Sequence, residues 1–317
     1  RYNFQMKQSK WFVIVNPTSG SGKGKKHWSN IEQLLRSTGI DFEVAFSQRR
    51  AHCIELATQA VAEGYRHIIG VGGDGTANEI INGIFAQSDV PTQSITFALV
   101  PVGTGNDWIR THGIPAHYKK AILLIKTGKT QLQDIGLVQY TDMETGEQRE
   151  RHFLNVAGMG YDAYVTHASM KRSRWLTDKL FYLYLILSCT LSYKTKRARV
   201  TFNGQTVEED WYSMAMGICR YNGGGAQFVP HAIPDDGLLA LTLIKKVSAW
   251  EVVKNSRRFY NGRITDNEKV STFQTDSILV EASEGAEPTW VEVDGEFLGQ
   301  TPVRFSIFPQ ALQIIVP

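Results

Sequence analysis

Residues 67–84 run from an apolar stretch through the turn Gly72-Gly73-Asp74-Gly75-Thr76 into an apolar-periodic segment. Strand, glycine-rich turn and helix in immediate succession are the building unit of an α/β layer, and they restrict this chain more than any other part of it. Gly72, Gly73 and Gly75 permit positive φ and let backbone N–H groups approach an anion, while a helix starting near Ala77 aims the positive end of its dipole at the same place. The turn reads as a phosphate cradle, against the plainer alternative that Asp-Gly is ordinary turn chemistry. Asp74 is the discordant residue: a carboxylate among phosphate-binding amides calls for a cation or a charged hydrogen-bond network between it and the phosphates.

Two more strand ends carry small, amide-rich loops. Asn16-Pro17-Thr18-Ser19-Gly20-Ser21-Gly22-Lys23-Gly24 follows the apolar run 11–15, and Gly103-Thr104-Gly105-Asn106-Asp107 follows the run 95–100. Loops at the carboxyl ends of parallel strands converge on one crevice, so the three together suit one ligand, for which a nucleotide is the natural candidate. The first loop has neither the Gly-Lys-Ser/Thr ending of a P-loop nor GxGxxG spacing.

Residues 10–133 alternate β-like runs at 11–15, 41–46, 67–71 and 95–100 with helix-like stretches at 25–37, 51–63 and 77–85, a βαβ series that predicts a parallel, three-layer sheet. After Asp134 the texture changes to alternating strands at 197–202, 211–219, 238–244 and 277–282, with helices expected at 162–170, 176–192 and 248–261. The expected fold class is α/β: a parallel-sheet nucleotide-binding domain over residues 6–133, then an antiparallel, β-sandwich-like domain with inserted helices over residues 134–309.

With 317 residues and 42% hydrophobic content the chain can core two such domains. A net charge of +3, with no Lys/Arg cluster interleaved with stacking aromatics, argues against nucleic acid as a partner. Cys53, Cys189 and Cys219 are odd in number and far apart, which suits free thiols in a reducing cytosol. The histidines are scattered without transition-metal spacing, and no GxSxG elbow is present. No signal-peptide pattern opens the chain, and Met6 reads as its natural start. Residues 175–193 are the strongest membrane candidate, with an apolar run at 180–187 too short to span a bilayer and Lys171-Arg172-Ser173-Arg174 just before it. Such a segment is either a buried helix with a solvated basic turn or one resting on anionic headgroups.

The NPTSG segment at 16–20, the GGDGT turn at 72–76 and the PVGTGND segment at 101–107 together resemble the diacylglycerol-kinase catalytic-domain family, which includes bacterial lipid kinases and the sphingosine and ceramide kinases. The similarity continues in order through Asp134-Ile135-Gly136, FLNVAGMG at 153–160, Pro234-Asp235-Asp236-Gly237 and Val293-Asp294-Gly295-Glu296, so it covers nearly the whole chain. GGDGT alone is shared with NAD kinases and phosphofructokinases; the ordered set discriminates. The resemblance implies magnesium-dependent transfer of the γ-phosphoryl group of ATP to a lipid hydroxyl. The expected setting is the cytoplasm with visits to the inner face of a membrane, and a homodimer stays open because edge strands able to pair leave no unique mark on sequence. The resemblance also implies that the last strand, residues 310–317, returns to the first domain.

For individual residues, the resemblance implies that Asn16, Pro17, Thr18, Ser19, Gly20, Ser47, Gly72, Gly73, Asp74, Gly75, Thr76, Ala77, Asn78 and Thr104 contact ATP, Ser47 lying in a segment with little of the family's look. It makes Asp294 the general base for the lipid hydroxyl, where the residues alone show only a hairpin turning at Asp-Gly, and it leaves Glu296 without a role. Asp236 with the backbone carbonyls of Ile233 and Leu238 is implied to hold magnesium, oxygen-only ligation that suits a hard cation, and Asp134 to reach that metal through water. Asn155, Gly158 and Gly160 read as packing at a strand-to-helix corner, and Asn222-Gly223-Gly224-Gly225 as a flexible loop. Two rival readings stand beside the lipid kinase: a kinase of a soluble acceptor such as NAD, and a nucleotide-regulated lipid-binding protein without catalysis.

Overall fold

Residues 9–171, 185–186 and 188–317 are described by the computed structural model. Strands β1 (Trp11–Val15), β2 (Phe42–Phe46), β3 (His67–Gly72) and β4 (Thr96–Pro101) pair in parallel in the order β2-β1-β3-β4. Between and after them run α1 (Ser19–Ser37), α2 (His52–Ala62), α3 (Asp74–Phe85), α4 (Asp107–Thr111) and α5 (Tyr118–Thr127).

Because successive strand residues point to opposite faces, one apolar run feeds two cores. Val13, Val15, Ile69, Val71 and Val100 pack with Ile31 and Leu35 of α1 and Ile122 and Ile125 of α5. Ile14, Ile68, Phe97 and Leu99 pack on the other side with Ala57 of α2 and Ile80, Ile81 and Ile84 of α3. These are the three layers the alternation predicts. The helix expected near Ala77 begins at Asp74, and the one expected from Lys25 is counted from Ser19, with Gly20, Ser21 and Gly22 in left-handed conformation interrupting its first turn.

The second half contains β5 (Lys129–Thr141), β6 (Gln148–Phe153), β7 (Val156–Gly160), α6 (Tyr161–Lys171), β8 (Lys196–Phe202), β9 (Gln205–Gly217), β10 (Leu239–Lys245), α7 (Ala249–Tyr260), β11 (Val270–Thr275), β12 (Ser277–Ala282), β13 (Trp290–Val293) and β14 (Glu296–Val316). Antiparallel pairings β14-β13-β7-β9-β8-β12 lead back to β14 and close a circuit. Its interior is filled by Ala157, Met159, Met214, Met216, Val291, Val293, Val303 and Phe305. The alternate residues Gly158, Ser213 and Glu292 therefore lie on the outer face, where α6 packs.

The two halves share a strand. The first part of β14 belongs to the circuit, and its end pairs with β4 in parallel through Gln313 and Ile314. β5 runs antiparallel beside it from Lys129 to Thr141. The helix expected over 176–192 and the membrane candidate at 175–193 fall largely outside the described residues, of which 185–186 and 188–192 are helical. Among the described residues no helix is long and apolar enough to cross a membrane.

Candidate active site

The three amide-rich loops meet at the carboxyl edge of the parallel sheet. Asn16 N donates to Val71 O (3.0 Å), and Val102 N and Gly103 N donate to Gly72 O (2.9 and 3.2 Å). Asn16 Nδ2 donates to Thr76 Oγ1 (3.0 Å), while Asn16 Oδ1 accepts from the backbone and hydroxyl of Thr18. Close approach explains two of the glycines: a Cβ on Gly20 would strike the carbonyl oxygen of Val102, and one on Gly103 would strike the Cα of Gly73.

Asp74 serves the neighbouring loop. Its Oδ2 accepts from Asp107 N (2.9 Å) and its Oδ1 from Trp108 N (3.1 Å), giving the first amides of α4 the acceptor that Asn106, left-handed at φ 52°, does not supply. Where the sequence suggested a cation or a charged network, the fold supplies main-chain donors. Burial pushes the Asp74 carboxyl up, and these amides pull the other way. Asp107 in turn accepts from Gly224 N (2.7 Å), so the Asn222 to Gly225 loop is tied to the cradle from the other half of the chain.

Thr18, Gly75 and Thr104 are exposed at this edge, and Ser47 is buried beside it with its N–H on Val15 O (2.9 Å). Ala77 and Asn78, expected on the nucleotide, face the interior instead, because the helix begins three residues earlier and its second turn is already covered. The Asn78 side chain is committed elsewhere. It donates to Asp294 Oδ2 (2.7 Å) and His152 O (3.0 Å), and its Oδ1 accepts from Arg151 Nε (2.9 Å). A guanidinium can only donate, so Arg151, with Asn82 Nδ2 on the same oxygen (3.1 Å), fixes which end of the carboxamide faces Asp294.

Asp294 stands at the β13–β14 turn with φ 49°, followed by Gly295 at 81°, the pair of positive φ values that a two-residue hairpin turn demands. Besides Asn78, its carboxylate accepts from three consecutive backbone amides, Leu154 (3.2 Å) on Oδ2 and Asn155 and Val156 (both 3.1 Å) on Oδ1. Enclosure outweighs these donors, and the pKa is pushed up to about 6. Glu296, two residues on, accepts from Arg151 (2.9 Å) and pairs with Arg50, which joins the two halves above the turn.

Asp134 is fully buried, and its oxygens accept from Gly237 N (2.7 Å) and Gln310 N (2.6 Å). It is thus tied to the 233–238 loop through the main chain of Gly237. Asp236 is exposed, with Oδ1 accepting from Leu238 N (3.0 Å) and Oδ2 from Gln274 (3.0 Å), and Ile233 is exposed beside it. These are oxygen donors only, the chemistry a hard cation accepts. Among the described residues no group of three or more His, Cys, Asp and Glu is arranged around one point.

Under α6 lies a pair of acids the sequence reading passed over. Glu292, 1% exposed, accepts from Gly295 N on Oε2 (2.9 Å) and sets Oε1 against Gly158. Asp162 Oδ2 borders the same glycine and accepts from Ser213 Oγ (2.7 Å). Burial pushes Asp162 up to about 6, and burial followed by repulsion from Asp162 pushes Glu292 well above the ordinary carboxylate range.

The profile described as the diacylglycerol kinase catalytic domain matches residues 10–138, and that of the YegS C-terminal NAD kinase beta sandwich-like domain matches residues 155–316. The chain belongs to the diacylglycerol kinase catalytic-domain family. Relatives of that name include the diacylglycerol kinase of Mycobacterium tuberculosis, 27% identical over 96% of this chain and 94% of its own, and that of Bacillus subtilis, 23% identical over 96% and 95%. A crystal structure of a diacylglycerol kinase from Bacillus anthracis superposes with a TM-score of 0.71 at 22% identity, covering 98% of this chain and 97% of that one. Yeast NADH kinase complexed with NADH shares the fold more distantly, with a TM-score of 0.56 at 10% identity over 97% of this chain and 83% of that one.

Within this diacylglycerol kinase family chain, three participants in the site carried no signal of their own. Arg151 sits in an exposed-looking charged run, Asn155 contributes a backbone amide that any residue would contribute, and Glu292 alternates with valines as an ordinary hairpin residue does. The nearest cue was the asparagine at 78, a poor helix former placed on the buried side of α3.

Proposed function

We propose that this chain is an ATP- and magnesium-dependent lipid kinase that transfers the γ-phosphoryl group to a lipid hydroxyl, a diacylglycerol-like alcohol being the acceptor class. The observation that carries the reading is Asp294: a carboxylate with pKa about 6, held by donors from both halves of the chain. Such a group is ionised at pH 7 yet still takes a proton readily, as a base for an alcohol must.

On this reading the loop amides of residues 16–20, 72–76 and 103–105 hold the phosphates, and Asp294 takes the hydroxyl proton as the alcohol oxygen attacks the γ-phosphorus and ADP leaves. Magnesium, when bound, neutralises charge on the phosphates. Asp236, with the carbonyls of Ile233 and Leu238, would hold a further magnesium ion in the loop that Asp134 pins. The turn geometry keeps Asp294 fixed while the acceptor approaches, which limits the motion needed to reach the reactive arrangement.

The deciding experiment is transfer from labelled ATP with magnesium across micellar lipids and soluble controls, with Asp294→Asn alongside wild type. Label in an organic-phase product, lowered at least about a hundredfold by the variant with ATP binding retained, is the expected result. Label only in a water-soluble product such as phosphorylated NAD overturns the lipid assignment, and full turnover by the variant overturns the role of Asp294.

A further inference from the structure

Helix α7 is held in place by a capping box, Ser248 Oγ accepting from Glu251 N (3.3 Å) and Glu251 accepting from Ser248 N (2.8 Å). At 100° per residue Val252, Asn255 and Phe259, all partly buried, fall on one side, and Val252 and Phe259 pack on the cluster of Tyr161, Val165 and Tyr212. The opposite arc carries Trp250, Val253, Lys254, Arg257 and Tyr260, all exposed, Trp250 by 74%.

That arc contains no acid. The helix's own Glu251 is engaged by Lys269 (2.6 Å), and among the described residues no carboxylate lies within ion-pair distance of Lys254 or Arg257. An exposed Trp and Tyr at the two ends of a helix, with cations and a valine between them, is costly to leave in water and matches the layered chemistry of a bilayer surface. Indole and phenol rings rest at the headgroup level, and lysine and arginine meet anionic phosphates.

We propose that the outward face of α7 docks this protein on the headgroup region of an anionic lipid bilayer. The aromatic cluster under α7 includes Tyr164 and Tyr193, which also line a cavity of about 370 Å³ with Gly160, Lys194, Pro288 and Trp290. Leu191, 82% exposed at the end of the neighbouring helix, extends the apolar character, and Lys194 the cationic. Tyr164 and Tyr193 thus join the inner side of α7 to the aromatic wall of that cavity. The cavity's Trp290 opens strand β13, whose far end turns at the candidate base Asp294. The inference rests on the reading of the acceptor as a lipid, and binding is measured apart from transfer.

The test is co-sedimentation of the full chain with phosphatidylcholine vesicles with and without phosphatidylserine. Wild type is expected to bind the anionic vesicles and to be released by salt. Lys254→Glu/Arg257→Glu and, separately, Trp250→Ser are each expected to weaken binding by about tenfold or more, while transfer to a detergent-dispersed acceptor is unchanged. Lys119→Glu/Lys120→Glu on the exposed surface of α5 controls for bulk charge. Brominated lipid should quench wild-type tryptophan fluorescence more than that of Trp250→Phe. No binding by wild type, equal loss in the α5 control, or equal quenching of Trp250→Phe overturns the docking surface. Vesicle binding without transfer to any acceptor instead overturns the kinase reading and leaves the surface standing.

Discussion

Arg151 illustrates how much a single donor can decide. It touches neither the nucleotide loops nor Asp294, yet together with Asn82 Nδ2 (3.1 Å) it fills Asn78 Oδ1 and so obliges the carboxamide to present N–H groups to Asp294. Replacing it by Met leaves Asn82 alone to orient the amide and removes a positive charge from the site, both of which should raise the pKa of Asp294. In wild type, transfer should rise through about pH 6 as Asp294 loses its proton. In Arg151→Met that limb should move to higher pH, with turnover at pH 7 down about tenfold and the KM for ATP unchanged; loss of turnover with an unmoved limb would mean Arg151 is only structural. Glu292 allows a stability test at the same scale. Its raised pKa means that the folded state keeps a proton the unfolded chain has released, so its contribution falls as pH rises above the ordinary carboxylate range. Glu292→Gln cannot ionise and should gain on wild type with pH, by on the order of 1 kcal/mol at pH 8 relative to pH 4. Thermal unfolding at the two pH values checks this, and an equal difference at both would show Glu292 to be unshifted.

Among the elements, α2 and α3 cross at Gly83, where a Cβ would meet the carbonyl oxygen of Ile54 and the side chain of Ala57, and where Thr58 Oγ1 donates to Gly83 O (3.0 Å). Gly83→Ala should cost about 2 kcal/mol despite the better helix propensity of alanine, because packing strain exceeds the gain of up to about 1 kcal/mol. A denaturant midpoint at or above wild type would show that the helices can separate cheaply. The same crossing holds Asn78 and Asn82 against His152 on β6, so it sets how the candidate base is supported. These helices and strands were largely legible from periodicity, since alternating apolar runs such as 67–71 and 95–100 have two buried faces and little freedom to be anything else. The helical first turn at Asp74 was not, because it depends on glycines that propensity counts against a helix.

At the scale of the whole molecule, β14 is the common member: its first residues form the hairpin of Asp294, and its last pair beside β4 and β5. Leu312, fully buried where β14 re-enters the parallel sheet, should when changed to Ala cost about 2–5 kcal/mol. The loss should appear in one calorimetric transition reported alike by probes in both halves; two separate transitions would show that the shared strand does not couple them. Sequence alone was enough for the α/β class, the three loops at strand ends and the family, because these depend on local spacing of apolar residues, glycines and short motifs. Only the tertiary structure decided what the polar residues do. Asp74 caps α4, Asn78 turns away from the nucleotide loops to Asp294, and Asp162 and Glu292 meet beneath α6. Each of these depends on partners from about 30 to more than 200 residues away. Hydrogen bonds of that reach are directional, and no periodicity along the chain encodes which donor will face which acceptor once the sheets close.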